Sequence, residues 1–279
     1  IKLGDRPSEA QSHGRLGIAQ PTAGGESQTR QHFAAATRIY EECGSLIGTA
    51  AQVMNEAVFE SRLGFFERAL TATHKAIALF DRAKDGRGRV GGLANLTFLL
   101  GCTGKIEEAR KIADETLELA RSLGFSLFEA STLENLASAE GKAGEYRRAI
   151  ELAEASFEVR SRSESLVWSS QTLADVAIWQ AALGNLPAAR DAVQKLLADE
   201  DSIQRGSDWP SSCYWSAAQI LRVDGDAAGA ARRLEQAQRI MQTTANALEP
   251  EDRERFLSLP WHVDLVQAAA SGVWPDPPR

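Results

Sequence analysis

Four histidines, three cysteines and one glycine-rich stretch are the residues of this chain whose types invite a chemical role. His13, His32, His74 and His262 are scattered, and none has a second His or a Cys at the helical spacing of a metal pair, so no metal site is expected. Cys43, Cys102 and Cys213 are odd in number and widely spaced, with no second Cys at zinc spacing. They are expected to be reduced, mostly buried thiols in a cytoplasmic protein. Gly86-Arg-Gly-Arg-Val-Gly91 has the letters of the dinucleotide fingerprint, but helical sequence precedes it and no βαβ unit surrounds it. It is expected to be a connector, with Arg87 and Arg89 able to meet an anion. Nucleophile elbows and P-loops do not occur. Adjacent carboxylates such as Glu107-Glu108 project at different helix azimuths and read as a solvated helix start. The chemistry-bearing residues therefore predict no enzyme: no catalytic set, no cofactor and no metal.

The elements that would carry any other function are set by a repeat. Gly64, Gly104, Gly144, Gly184 and Gly225 recur at steps of 40, 40, 40 and 41 residues, each followed five residues later by alanine: Ala69, Ala109, Ala149, Ala189 and Ala230. Self-similarity at such a period predicts one supersecondary unit stacked into a solenoid. In the unit ending at Gly144, Leu133, Leu136 and Ala137 fall at i, i+3 and i+4 and make a helical apolar stripe. Gly144 lets the chain leave that helix with positive φ, and Glu145 begins a second helix with negative charge at its positive dipole end. Ala149, Ile150, Ala153 and Phe157 give the second helix its own apolar face, and Ser161-Arg-Ser-Glu-Ser165 reads as the connector to the next unit. A second small column, Ala57, Thr97, Ala137, Ala177 and Ala218, sits on the first helices. Small residues at facing positions allow close helix approach, so larger ones there should overpack the seam.

With Asn135-Leu-Ala137 and Gly144-Glu-Tyr-Arg-Arg-Ala149 in these columns, the chain resembles the tetratricopeptide repeat, here in a long form of 40 residues. The resemblance covers about four fifths of the chain and implies a right-handed all-α solenoid of antiparallel helix pairs. Phrases such as Leu119-Ala-Arg-Ser-Leu-Gly124 and Asn95-Leu96 resemble the sensor arms of bacterial signal-transduction ATPases (the STAND class) and of LuxR-type transcriptional regulators, including activators related to that of the maltose regulon. Lengthened repeats also occur in the Pins-type polarity adaptors. The resemblance implies a concave groove lined by first-helix side chains. On the matching positions it is expected to include Met54, Val58, Arg62, Phe98, Glu134, Ser138, Lys142, Gln171, Ile178, Trp215, Gln219 and Arg222. Val58 and Ile178 serve equally well as packing residues, and Trp215, beside Cys213 and Tyr214, reads either as a binding anchor or as core. The column Asn55, Asn95, Asn135 and Asp175, with Ser216 in the fifth unit, could hold a peptide backbone. Commitment to backbone at the junctions between units is the expected role, because buried polar groups take local partners.

Charge and ends complete the expectation. A formal net charge of −7 argues against direct nucleic-acid binding and against an anionic membrane surface, and no apolar run has the length of a membrane span. Residues 1–27, rich in Gly, Ser, Gln and Pro, are expected to be irregular or the remnant of an upstream unit; 28–248 to form half a unit plus five units; and 249–279 to form capping helices and a tail, with Pro250 and Pro260 in first turns. Ile1 in place of an initiator Met predicts that the chain is part of a longer one. Together these predict a non-catalytic scaffold that takes a protein or peptide segment, or another domain of its parent chain, in the groove. A small metabolite is the alternative ligand.

Overall fold

The computed structural model describes residues 5–19, 26–162 and 169–278. Among the described residues there are fifteen helices and no strand. Six antiparallel pairs follow one another: α1 (Arg6–Ala19) with α2 (Glu26–Glu42), α3 (Leu46–Arg62) with α4 (Phe66–Ala83), and α5 (Gly86–Cys102) with α6 (Ile106–Leu123). Then come α7 (Ser126–Lys142) with α8 (Tyr146–Arg162), α9 (Ser170–Ala182) with α10 (Leu186–Leu197), and α12 (Pro210–Val223) with α13 (Ala227–Ala247). A short α11 (Glu200–Gly206) interrupts the series, and α14 (Pro250–Leu257) and α15 (Pro260–Ser271) end it. No helix among the described residues is long and apolar enough to cross a membrane.

The glycine ladder has a direct backbone cause. All five glycines have positive φ, between 74° and 89°. After each, the next N–H returns to the carbonyl five residues back, as in Lys105 to Leu100 (2.9 Å) and Asn185 to Gln180 (2.8 Å). This is the six-to-one bond of the Schellman turn, which satisfies carbonyls at the end of a helix and is easiest for a residue without Cβ. A second column closes the second helices: Gly44 and Gly124 have φ of 68° and 71°, and Lys84 stands between them at 55°. Both small columns are buried in every unit. They let the two helices of a pair meet with alanine rather than leucine at the contact.

Two expectations need correction. Residues 1–27, expected to be irregular or the remnant of an upstream unit, contain α1, and its glycines are packing residues: a Cβ on Gly14 would lie 2.5 Å from Gln52 Oε1, and one on Gly17 2.6 Å from Phe33 Cε1. What looked like half a unit, the helix at 28–43, therefore has α1 as its partner, while residues 1–4 and 20–25 lie outside the described residues. Likewise Gly86–Gly91 is not a connector but the opening of α5, capped by Asp85 on the Gly88 N–H (3.1 Å). Arg87 lies over the Phe125 and Phe128 rings, and Arg89 pairs with Asp81 and Glu115, so neither offers a vacant anion site. Of the connector 161–165, Ser161 and Arg162 belong to α8, and the rest lies outside the described residues. Of the thiols, Cys213 is buried, Cys102 half-buried and Cys43 exposed; all three are free.

The last helices do more than cap the final pair. α15 packs on α12 and α13, yet side chains of α14 and of the turn after it also reach the first repeats. Arg30 of α2 forks between Glu60 (2.7 Å) and Asp252 (3.1 Å), both carboxylates buried, beneath the Phe59 ring. Arg255 donates to the Gly64 carbonyl (2.7 Å), and Leu259 lies against Gly64, where a Cβ would come within 2.8 Å. Phe33, Phe59 and Leu63 thus share one apolar cluster with Phe256 and Leu259. His262 ties α15 down: fully buried, its Nδ1 donates to the Phe256 carbonyl (2.8 Å) and its Nε2 accepts from Ser211 (3.1 Å). Burial pushes its pKa down to about 4, so it is the neutral ring that holds this junction.

Candidate binding groove

The concave side of the array is built from the first helices of successive pairs. Their close approach depends on small residues: a Cβ on Gly101 would lie 2.7 Å from Ala139 Cβ, and one on Gly141 2.3 Å from Trp179 Nε1. Two cavities lie along this side. One, of about 390 Å³, is lined by Val58 of α3, Phe98 of α5, Glu134 and Ser138 of α7, Gln171 and Asp175 of α9, and the loop 206–209. The other, of about 760 Å³, is walled by Phe66, Tyr146, Ile178, Trp179, Trp215 and Trp261, with Lys142 at its edge. Ser138 and Asp175 line both, so the two cavities adjoin across a polar waist.

The waist carries the electrostatics. Asp175 accepts from Gln171 (2.9 Å), and burial raises its pKa to about 6 against the pull of that bond and of Lys142. Lys142 Nζ lies 3.2 Å from Ser138 Oγ, 3.4 Å from Cys102 Sγ and 5.3 Å from the centre of the Phe98 ring. Glu134 is held bidentate by Arg160, at 2.7 and 3.1 Å. Burial pushes the Cys213 thiol up to about 12 and the Cys102 thiol upward as well, which removes the thiolate that nucleophilic chemistry needs.

Of the residues expected in the groove, Val58, Phe98, Glu134, Ser138 and Gln171 line the smaller cavity, and Ser138, Lys142, Ile178 and Trp215 the larger. Four line neither. Met54 packs beside Gly92 and Asn95, Arg62 is ion-paired to Asp208, Gln219 is fully buried, and Arg222 lies over the Trp274 ring. Trp215 is core as much as wall, stacked on Trp274 at 5.1 Å. In the polar column, Asn135 donates to the Ala94 carbonyl of the preceding repeat (2.8 Å), and Asn95 to Thr73 (2.9 Å). Asp175 stands in the same column without an amide donor, on the groove wall. Sequence reasoning passed over Trp209 and Trp261, which lie outside the first-helix positions. It also separated His13 from His32, whose Nδ1 atoms meet at 2.9 Å where α1 pairs with α2.

Residues 92–162, which span α5 to α8, match the family model of the tetratricopeptide repeat. The fold is a tetratricopeptide-type α-solenoid. No curated protein matches the chain in sequence. Among solved structures, a Rap protein complexed with Competence and Sporulation Factor superposes with a TM-score of 0.66 at 14% identity, over 94% of this chain and 75% of that one. Aspartyl phosphate phosphatase F from Bacillus subtilis gives 0.65 at 13% identity, over 87% of this chain and 61% of its own length. The Rap conjugation gene regulator of plasmid pLS20, in complex with the Phr* peptide, gives 0.60 at 11%, over 91% and 75%. At these identities the likeness is one of fold.

Proposed function

We propose that this chain is a non-catalytic scaffold that binds an extended peptide or protein segment along the groove, as the sensing arm of a larger bacterial signalling or transcriptional regulator. The observation that carries the proposal is that the two cavities share Ser138 and Asp175 in their linings, which sets apolar walls and a few polar groups side by side to orient a backbone. Two of the structural neighbours are peptide or factor complexes, which supports the same reading. The raised thiol pKa values and the structural commitment of His262 support a role without catalysis. One neighbour is named as a phosphatase, so the fold by itself does not decide this point. Occupancy would act on the parent by favouring one of two arrangements.

Panning a random-peptide library over the chain tests the proposal. Selected peptides should lose at least tenfold in affinity on Ser138→Trp, which plugs the waist; peptides that bind this variant unchanged would sink it. A metabolite is the second reading, favoured by the aromatic enclosure of the larger cavity by Tyr146, Trp179, Trp215 and Trp261. Thermal stabilisation by a small molecule but by no peptide would select it.

A further inference from the structure

The second helix of the fourth repeat of the ladder breaks where its counterparts run on. α4, α6 and α8 run for 18, 18 and 17 residues, whereas α10 stops after 12 and the chain restarts as the seven-residue α11, capped by Asp199 on the Ser202 N–H. The break carries Ser207-Asp208-Trp209 inward across the groove. Asp208 ion-pairs with Arg62, 146 residues earlier in the chain. Trp209 stacks on Phe98 with centroids 5.4 Å apart and planes at 28°, and meets Trp261 edge to face at 6.2 Å. One short strap thereby touches the first repeat, the second repeat and the last helix.

We propose that this strap is an intramolecular occupant of the groove, and that the site beneath it takes an external segment in which an acidic residue directly precedes an aromatic one. The inference rests on the peptide-groove reading and specifies the ligand of that same groove. Arg62 has no carboxylate partner among the described residues other than the strap's Asp208, and its Nε is shielded and unpartnered. Lys142 has no carboxylate oxygen within 4.0 Å among the described residues, and it stands over the same Phe98 ring that Trp209 stacks on. Glu134 is already neutralised by Arg160. With the strap withdrawn, the groove presents two cations and an aromatic face, complementary to a carboxylate beside a ring. The indole N–H of Trp261, which meets Trp209 edge to face, is likewise shielded without a partner and stays in the site as a donor when the strap withdraws. Such a ligand replaces the strap like for like, acid for acid and ring for ring, so exchange needs only a modest difference in affinity.

The experiment offers the strap back in trans. A fluorescein-labelled, end-capped peptide Gly-Ser-Asp-Trp-Pro, the sequence of 206–210, is titrated by anisotropy against the parent chain and against Asp208→Ala/Trp209→Ala. Binding to the double variant should be at least tenfold tighter than to the parent, and the gain should vanish when Phe98→Ala is added or when the peptide carries Lys for Asp. Equal binding to parent and variant, or a gain that survives both controls, overturns the inference. Should the double variant fail to melt cooperatively, the single exposed change Asp208→Lys decides: a gain of threefold or more supports the strap as occupant, and no gain overturns it. Peptides selected by panning separate this inference from the groove itself. If they bind through Phe98 while the strap peptide does not bind, the groove stands and the internal occupant falls; if neither binds any form of the chain, both fall.

Discussion

From α3 to α8 the two helices of each pair meet through the same small residues at the same spacing, whereas from α9 onward tryptophans and long-range contacts are added. All six tryptophans of the chain lie after residue 167. In the regular region the ion pairs mostly join neighbouring helices, as Arg110 and Glu140 do. In the C-terminal region they reach back across the whole array, as between Arg30 and Asp252, 222 residues apart. A solenoid of identical neighbours is stabilised by a sum of local interfaces and can fray from either end. Contacts between first and last elements add a penalty for fraying at either end, and they place Trp209 and Trp261 over the groove. The repeats supply the first-helix walls of the cavities, and the departures from the repeat supply Trp209 and Trp261 along them.

The largest expected effect tests the long-range half of this contrast. Arg30→Ala leaves Asp252 buried without its cation and Glu60 with only Arg68 at 3.9 Å, which should cost about 3–5 kcal/mol and lower the melting temperature well beyond any surface change. Chemical denaturation of the parent and the variant measures it, and a difference below 1 kcal/mol would mean that the return contact contributes little.

The pH dependence sharpens the same point, because two groups of the C-terminal region oppose one another. His262 has a depressed folded pKa, so its contribution is present above the unfolded value near 6.5 and is lost as pH falls toward about 4. Asp175 has a raised folded pKa, so its contribution is present below about 3.8 and is lost as pH rises through about 6. The two offset in the parent. In Asp175→Asn the histidine slope is uncovered, and unfolding free energy should climb more steeply between pH 4 and 6.5 than in the parent, the His262 share being about 3 kcal/mol. Parallel pH profiles for the two proteins would contradict the Asp175 assignment, and a flat profile in Asp175→Asn the His262 one.

In the regular region the expected effects are smaller and purely steric. Ala149→Leu should overpack the seam between α7 and α8 and cost roughly 1–3 kcal/mol; an unchanged melting temperature would show that the two small columns do not set helix approach. Smallest, and of opposite sign, is Lys84→Gly. It restores glycine at φ 55° in the column of Gly44 and Gly124 and should stabilise by about 1 kcal/mol, the strain of a non-glycine residue in left-handed geometry. Differential scanning calorimetry resolves a shift of that size, and a fall in melting temperature would contradict it.

Much of this architecture is written locally. A positive-φ glycine, an alanine five residues on and an apolar stripe at helical spacing suffice to place α3 to α8, because Schellman turns and close helix pairing depend on residues within one repeat. The same local logic misreads Gly14, Gly17 and Gly86. A glycine that relieves backbone strain and one that makes room for Gln52, Phe33 or a capped helix start look alike until the neighbouring helix is in place. The groove residues divide for the same reason. Phe98, Ser138 and Lys142 follow from position on the first helix, while Met54, Gln219 and Arg222 occupy matching positions and are drawn away by what packs on them.

The sequence by itself determined the repeat, its period, the helix ends and the small-residue seam, since each depends on contacts within about 40 residues. The tertiary structure alone shows that α14 and the turn after it return to α2–α4, that Asp208 meets Arg62, and that Trp209 lies on Phe98. Two of those contacts join residues 146 and 222 positions apart, so they depend on how the whole series of helix pairs is stacked and no single repeat encodes them.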